Sequence, residues 1–81
     1  MIPSKTLFIT FVAQELLVDE SLIDFTTPFR HIRTWSSLNA LVLIARINEE
    51  FDVMISSTDL AGLVTLEELF EFISTKKNGN S

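Results

Sequence analysis

The sequence has 81 residues, enough for one folded domain and too few for two domains that each bury a core. Hydrophobic residues make up 47% of it and cysteine is absent, which excludes disulfides and thiolate metal sites. The net charge of −5 argues against nucleic-acid binding, and the longest apolar run, Ala40 to Ala45, is far shorter than the roughly 20 residues that span a bilayer.

The first predicted element is a helix from about Ser4 to Leu17. Its apolar residues recur at intervals of three and four, as on one helical face, and Ser4 after Pro3 is a suitable N-cap. The predicted face consists of Leu7, Phe8, Phe11, Val12 and Leu16.

A long loop is predicted from Val18 to Ser36, because turn-forming residues and Thr27-Pro28 interrupt the helical periodicity. A structureless loop of this length is unusual, so its own apolar residues should anchor it to the helices. The predicted anchors are Leu22, Ile23, Phe25, Phe29 and Ile32.

A second helix is predicted from Ser37 to about Phe51, and it is apolar on two faces. One face has the spacing of a core stripe: Ala40, Leu43, Ile44, Ile47 and Phe51. The other face points elsewhere: Leu38, Leu41, Val42 and Ala45. A small domain cannot bury a helix on every side, so we expect the second face to bind a partner.

The C-terminal third predicts a short helix that ends at Gly62 and then a last main helix. Thr65 followed by Glu68 has the form of a capping box, which marks the start of that last helix. Its predicted buried stripe is Leu66, Leu69, Phe70 and Ile73. The domain is expected to cover residues 1–75, followed by a disordered polar tail over residues 76–81.

Residues suited to catalysis or metal binding are sparse. There is one histidine, and the adjacent acid pairs Glu49-Glu50 and Glu67-Glu68 diverge around a helix, so no metal site and no catalytic residue are predicted. His31 is most simply an exposed loop residue.

The N-terminus shows no signal-peptide pattern, and we expect a cytoplasmic monomer that binds neither nucleic acid nor membranes.

Acidic residues are concentrated in the C-terminal half. Between Ile47 and Thr75 there are seven acids and no base. Such a surface favours partners with basic docking patches. The alternative is that the charge only keeps a domain rich in apolar residues soluble.

Two hydroxyls stand together where the loop meets the second helix, in Trp35-Ser36-Ser37-Leu38. One serine at such a junction caps the helix, and this explains one of the two. A phosphate ester on a serine here would meet the unpaired amides and the positive end of the helix dipole.

From Thr27 to Ile73 the chain resembles acyl and peptidyl carrier proteins. The matching residues are Thr27-Pro28-Phe29, the aromatic Trp35 ahead of Ser37-Leu38, Ile47, Glu49-Glu50-Phe51, Val53-Met54-Ile55 and Thr65-Leu66. The resemblance implies an all-α fold, a small antiparallel four-helix bundle with three main helices, one short helix and a long first loop.

The same resemblance implies a function for Ser37. In carrier proteins the serine before this leucine receives 4'-phosphopantetheine, whose thiol carries an acyl or aminoacyl group as a thioester. The implied partners are a phosphopantetheinyl transferase and the enzymes that load and transfer the cargo. We expect them to contact Trp35, Ser36, Leu38, Leu41, Val42 and Ala45.

Two residues depart from the usual Gly-x-Asp-Ser-Leu motif, because Thr34 replaces the glycine and Ser36 replaces the aspartate. The start of the second helix also lacks the acids common in fatty-acid carriers, and Arg30 and Arg33 flank the site. The missing acids and the two arginines favour a dedicated carrier in a specialised biosynthetic pathway. The alternative is a degenerate carrier fold that stays unmodified and serves as a protein interaction module.

Overall fold

The structure is a computed structural model that describes residues 4–79, with side chains to residue 77. Over residues 4–79 the chain forms α1 (Lys5–Glu15), α2 (Ser37–Phe51), α3 (Ser57–Ala61) and α4 (Leu66–Gly79). Two 3₁₀ turns, Glu20–Leu22 and Phe29–His31, lie in the long first loop. The prediction of an all-α bundle with three main helices and one short one is confirmed.

Helices α1 and α2 run antiparallel. The Phe11 and Phe51 ring centroids lie 4.9 Å apart, and four residues further along α1 the carboxylate of Glu15 meets Arg46 at 3.1 Å. Phe8 occupies the centre of the core, fully buried, with the Phe70 ring of α4 at 5.3 Å. The core therefore lies between α1, α2 and α4.

The N-terminal helix begins where the sequence predicts. Ser4 is the N-cap, and its Oγ accepts a hydrogen bond from the Leu7 amide at 3.1 Å. The predicted end at Leu17 was too late, because the helix ends at Glu15 and Leu17 adopts a left-handed conformation with φ 55°. Leu7 was also wrongly predicted as core. It is 63% exposed, because the buried stripe runs through Phe8 and Val12.

The first loop is held down by both side chains and backbone. Ile23, Phe29 and Ile32 are buried as predicted, whereas Leu22 lies on the exposed side of its 3₁₀ turn and is not an anchor. Three backbone amides tie the loop to the turn before α4 and to its first residues: Phe29 N to Val64 O, Leu66 N to Thr27 O and Glu67 N to Phe25 O, each within 3.0 Å.

Both C-terminal helices start with a reciprocal cap. In α3 the Ser56 hydroxyl accepts from the Asp59 amide, and the Asp59 carboxylate accepts from the Ser56 amide, both at 3.0 Å. In α4 the predicted box is present, since the Thr65 hydroxyl accepts from Glu68 N at 3.2 Å and the Glu68 carboxylate accepts from Thr65 N at 3.4 Å. The predicted stripe of α4 is buried.

The last helix is longer than predicted. It continues through residues 76–79, which the sequence assigns to a disordered tail. Lys76 and Lys77 lie in its final turn, where cations stabilise the negative end of the helix dipole. The rest of the predicted tail, residues 80 and 81, lies outside the described residues, as does the start of the predicted domain, residues 1–3. None of the helices in the described part of the chain has the length and apolarity needed to cross a membrane.

Candidate functional site

Ser36 is the N-cap of α2. Its backbone is extended, with φ −155° and ψ 167°, and its Oγ accepts a hydrogen bond from the Asn39 amide at 3.1 Å. The Asn39 side chain in turn donates to the carbonyl of Thr34 at 2.6 Å, while the Thr34 hydroxyl donates to the carbonyl of Leu16. The junction is thus fixed from both sides, and the capping role predicted for one of the two serines belongs to Ser36.

Ser37 is the first residue of α2, and it is exposed. Within residues 4–79 its hydroxyl makes no hydrogen bond, and the amides of Ser37 and Leu38 have no acceptor. The first turn of the helix contains no acidic residue. An anion on the Ser37 oxygen would therefore meet two available amides and the positive end of the helix dipole, with no carboxylate in that turn to repel it.

The two faces of α2 differ in burial. Leu43 and Ile47 are fully buried, while Leu38 is 69% exposed and Leu41 58% exposed. The remaining two residues of the second predicted face, Val42 and Ala45, are also exposed. The structure thus leaves this face outside the core, and its role in binding partners stays a prediction.

A groove of about 300 Å³ opens beside Ser37, between α2 and α3. Trp35 forms part of its wall and is half-buried, with its ring centroid 5.2 Å from that of the buried Phe29. The other apolar walls are Ala40, Leu41 and Ile44 from α2 and Leu60 and Ala61 from α3. The sequence does not predict this groove, because the position of α3 beside α2 depends on contacts that leave no periodic signal.

Arg30 also lines this groove. Its guanidinium lies 4.8 Å from the Phe29 ring centroid and donates to two backbone carbonyls, that of Leu60 at 2.7 Å and that of Leu63. Arg30 therefore joins the first loop to the end of α3. The sequence places Arg30 near the site but does not predict this contact, since backbone carbonyl acceptors do not depend on the residue types.

Three aspartates accept hydrogen bonds that stabilise turns and a helix cap. The pKa values of Asp19, Asp24 and Asp59 lie below their usual range because nearby serine or threonine groups donate hydrogen bonds to them. For Asp59 the main donor is the Ser56 backbone amide. Among residues 4–79 no three His, Cys, Asp or Glu side chains are grouped as a metal site. The exposed hydroxyl of Ser37 at the start of α2 thus stays the candidate functional group.

A small helical bundle that presents a serine at the start of its second helix has the architecture of a carrier domain. The profile of the family described as "Phosphopantetheine attachment site" matches residues 7–73, and the chain belongs to this family. Its members carry 4'-phosphopantetheine covalently on a serine and do not themselves catalyse reactions. They interact with phosphopantetheinyl transferases and with biosynthetic enzymes. A search of curated proteins finds no match to this chain.

Proposed function

We propose that the chain carries an acyl or aminoacyl group as a thioester on a 4'-phosphopantetheine arm attached to Ser37. The observation that supports this site most strongly is that the hydroxyls of two adjacent serines have different hydrogen bonding. Ser36 uses its hydroxyl to cap α2, whereas Ser37 keeps its hydroxyl exposed at the first helical position. Of these two serines, Ser37 is the one whose hydroxyl makes no hydrogen bond within residues 4–79.

Attachment would form a bond between Ser37 Oγ and the phosphorus next to the pantetheine of coenzyme A. The serine would lose its proton, and adenosine bisphosphate would leave. The surroundings of Ser37 suit the resulting phosphodiester, because the Ser37 and Leu38 amides lack acceptors within the described residues. When attached, the arm supplies the thiol on which the cargo is held.

The two departures from the usual motif are compatible with this role. Serine and aspartate are both strong N-caps, so Ser36 supplies the capping oxygen that an aspartate would otherwise provide. Among the residues described, Leu17 and Asp52 are the non-glycine residues with positive φ, so Thr34 does not need the conformational freedom of glycine. The start of α2 is therefore formed without the usual residues.

The proposed docking surface is the exposed face of α2 together with the residues that lead into it: Trp35, Ser36, Leu38, Leu41, Val42 and Ala45. A phosphopantetheinyl transferase and the loading and transferring enzymes would bind it weakly and in turn, and the groove beside Ser37 would receive part of the arm or cargo. In this proposal the chain is a cytoplasmic monomer of a specialised biosynthetic pathway. It binds neither nucleic acid nor membranes.

The alternative is an unmodified carrier fold that binds one protein partner through the same face of α2. The observation that favours it is Ser36, which replaces the aspartate that transferases usually meet beside the modified serine. In that case the exposed leucines would have a function and the Ser37 hydroxyl would not.

Intact-mass measurement after co-expression with a broad-specificity phosphopantetheinyl transferase tests the proposed site. We expect the wild-type chain to gain one arm and Ser37→Ala to gain none. Ser36→Asn is the matched control, because asparagine keeps a capping oxygen but removes the second hydroxyl. It should still be modified. An arm that persists in Ser37→Ala, or a wild type that its native transferase leaves unmodified, would contradict the proposal.

A further inference from the structure

The charge around Ser37 is opposite in sign to that of the rest of the chain. Residues 25–48 contain three arginines, Arg30, Arg33 and Arg46, and no acidic residue. This segment carries +3, so with −5 for the whole chain the remaining residues carry −8. The segment includes the second 3₁₀ turn, the start of α2 and the exposed face of α2.

One of the three arginines is neutralised. Arg46 pairs with Glu15 at 3.1 Å, with Glu49 one turn along α2 and with Glu50 at 3.5 Å. It therefore belongs to a structural cluster that joins α1 to α2. The cations left near the site are Arg30 and Arg33, and Arg33 is exposed and makes no ion pair within residues 4–79.

Neither of these two cations forms an ion pair with an acid within residues 4–79. The carboxylate of Asp59 in α3 accepts a hydrogen bond from the Ser56 amide in the capping box of its own helix. Arg30 donates to neutral carbonyls, so it keeps its positive charge in the wall of the groove. The surface around Ser37 thus combines exposed leucines with a cationic border.

We propose, building on the attachment of the arm at Ser37, that the enzymes that bind this surface present an apolar pocket bordered by carboxylates. The pocket would cover Leu38 and Leu41, and the carboxylates would pair with Arg33 and approach Arg30. Charges at the edge of an interface mainly select the partner and speed its approach. A partner with a basic docking patch, which the net charge of the chain would suggest, is repelled from this face.

The test uses the purified chain and two purified phosphopantetheinyl transferases, one with an acid-bordered apolar docking surface and one with a basic docking surface. Modification is followed by intact mass, and docking is measured separately by calorimetry with the Ser37→Ala chain. The charge variant is Arg33→Glu. Its control is Lys77→Glu, the same charge reversal in the last turn of α4.

With the acid-bordered transferase, Arg33→Glu should weaken docking and lower kcat/KM about fivefold, as expected for the loss of a surface pair and the gain of a repulsion. Lys77→Glu makes the same charge change outside residues 25–48 and should change both by less than about twofold. With the basic transferase, Arg33→Glu should improve docking. Equal effects of the two reversals, or weaker docking of Arg33→Glu to the basic enzyme, would overturn the inference.

The two proposals fail in different ways. Modification of Ser37 with no effect of Arg33→Glu would contradict the partner chemistry and support the carrier function. Docking that depends on Arg33 without any modification would support the partner chemistry and contradict the carrier function. A chain that neither transferase binds or modifies would contradict both.

Discussion

Helices α2 and α4 have nearly equal lengths, 15 and 14 residues, but use their residues differently. In α4 the large apolar stripe, including Leu66 and Leu69, is buried, and the first turn carries Glu67 and Glu68, which complement the helix dipole. In α2 the first turn has no acid, and Leu38 and Leu41 are exposed.

This difference separates a helix whose apolar residues lie in the core from one that also has an exposed apolar face. The N-terminus of α4 is already complemented by its own carboxylates, and its apolar residues are used in the core. The N-terminus of α2 remains available to an anion, and one apolar face remains available to a partner. Substitutions on the two faces of α2 should therefore differ in effect as much as the faces differ in burial.

The largest expected effect comes from two leucines of the same helix. Leu43→Ala removes a fully buried side chain and should lower the free energy of unfolding by about 2–5 kcal/mol. Leu41→Ala removes a 58% exposed one and should change it by less than about 0.5 kcal/mol. Urea denaturation of both variants makes the comparison. Similar losses would mean that Leu41 also belongs to the core.

A charge at Leu41 should separate stability from function. Leu41→Glu should melt at nearly the wild-type temperature, because residue 41 is exposed. It should slow modification and cargo loading about tenfold, because it places a carboxylate in an apolar contact with the partner. Ile47→Glu is the control at a fully buried position, where the unpaired charge should unfold the domain. A Leu41→Glu chain that loads at the wild-type rate would place docking elsewhere.

The two serines at the start of α2 should differ in stability as well as in chemistry. Ser36→Ala removes the cap and should lower the free energy of unfolding by about 1 kcal/mol. Ser37→Ala should have a smaller effect, because its hydroxyl makes no hydrogen bond within the described residues. Thermal melts at neutral pH measure both. A larger loss for Ser37→Ala would reverse the roles assigned to the two residues.

The smallest expected effect is the pH dependence of the caps. The pKa of Asp59 is lower in the folded chain than in the unfolded chain, because the Ser56 amide donates to its carboxylate. The ionised carboxylate therefore stabilises the fold above the unfolded pKa. This contribution is lost as the pH falls below about 4 and through the folded pKa. Asp59→Asn should therefore lower the melting temperature at pH 7 and have less effect at pH 3. The Ser36→Ala loss should be the same at both pH values, because the α2 cap does not titrate. Equal Asp59→Asn losses would contradict this.

The local features of the fold were predictable because their causes are local. Helix caps at Ser4 and Thr65, and the breaks at Thr27-Pro28 and Gly62, depend on residues within one turn of each other. The two faces of α2 follow from helical periodicity in the same way. At the site, the pair of serines and the leucine after them marks the position without any knowledge of the packing.

The features that could not be predicted depend on distant packing. Periodicity does not reveal which edge of an apolar stripe stays in water, so Leu7 and Leu22 were wrongly expected to be buried. The Arg30 contacts to Leu60 and Leu63 join residues 30 and 33 positions apart through backbone carbonyls. The groove between α2 and α3 follows from the same contacts, because they fix the end of α3 relative to the first loop.

The most direct test of the carrier function is the intact mass of the chain purified from the cells that naturally make it. We expect one phosphopantetheine arm on Ser37. Cargo should add a further mass that mild hydroxylamine treatment removes, because the cargo is held as a thioester. Peptide mapping should find the arm on the peptide that contains Ser37. A chain that carries no arm in cells where its transferase is present would contradict the account and favour the unmodified interaction module.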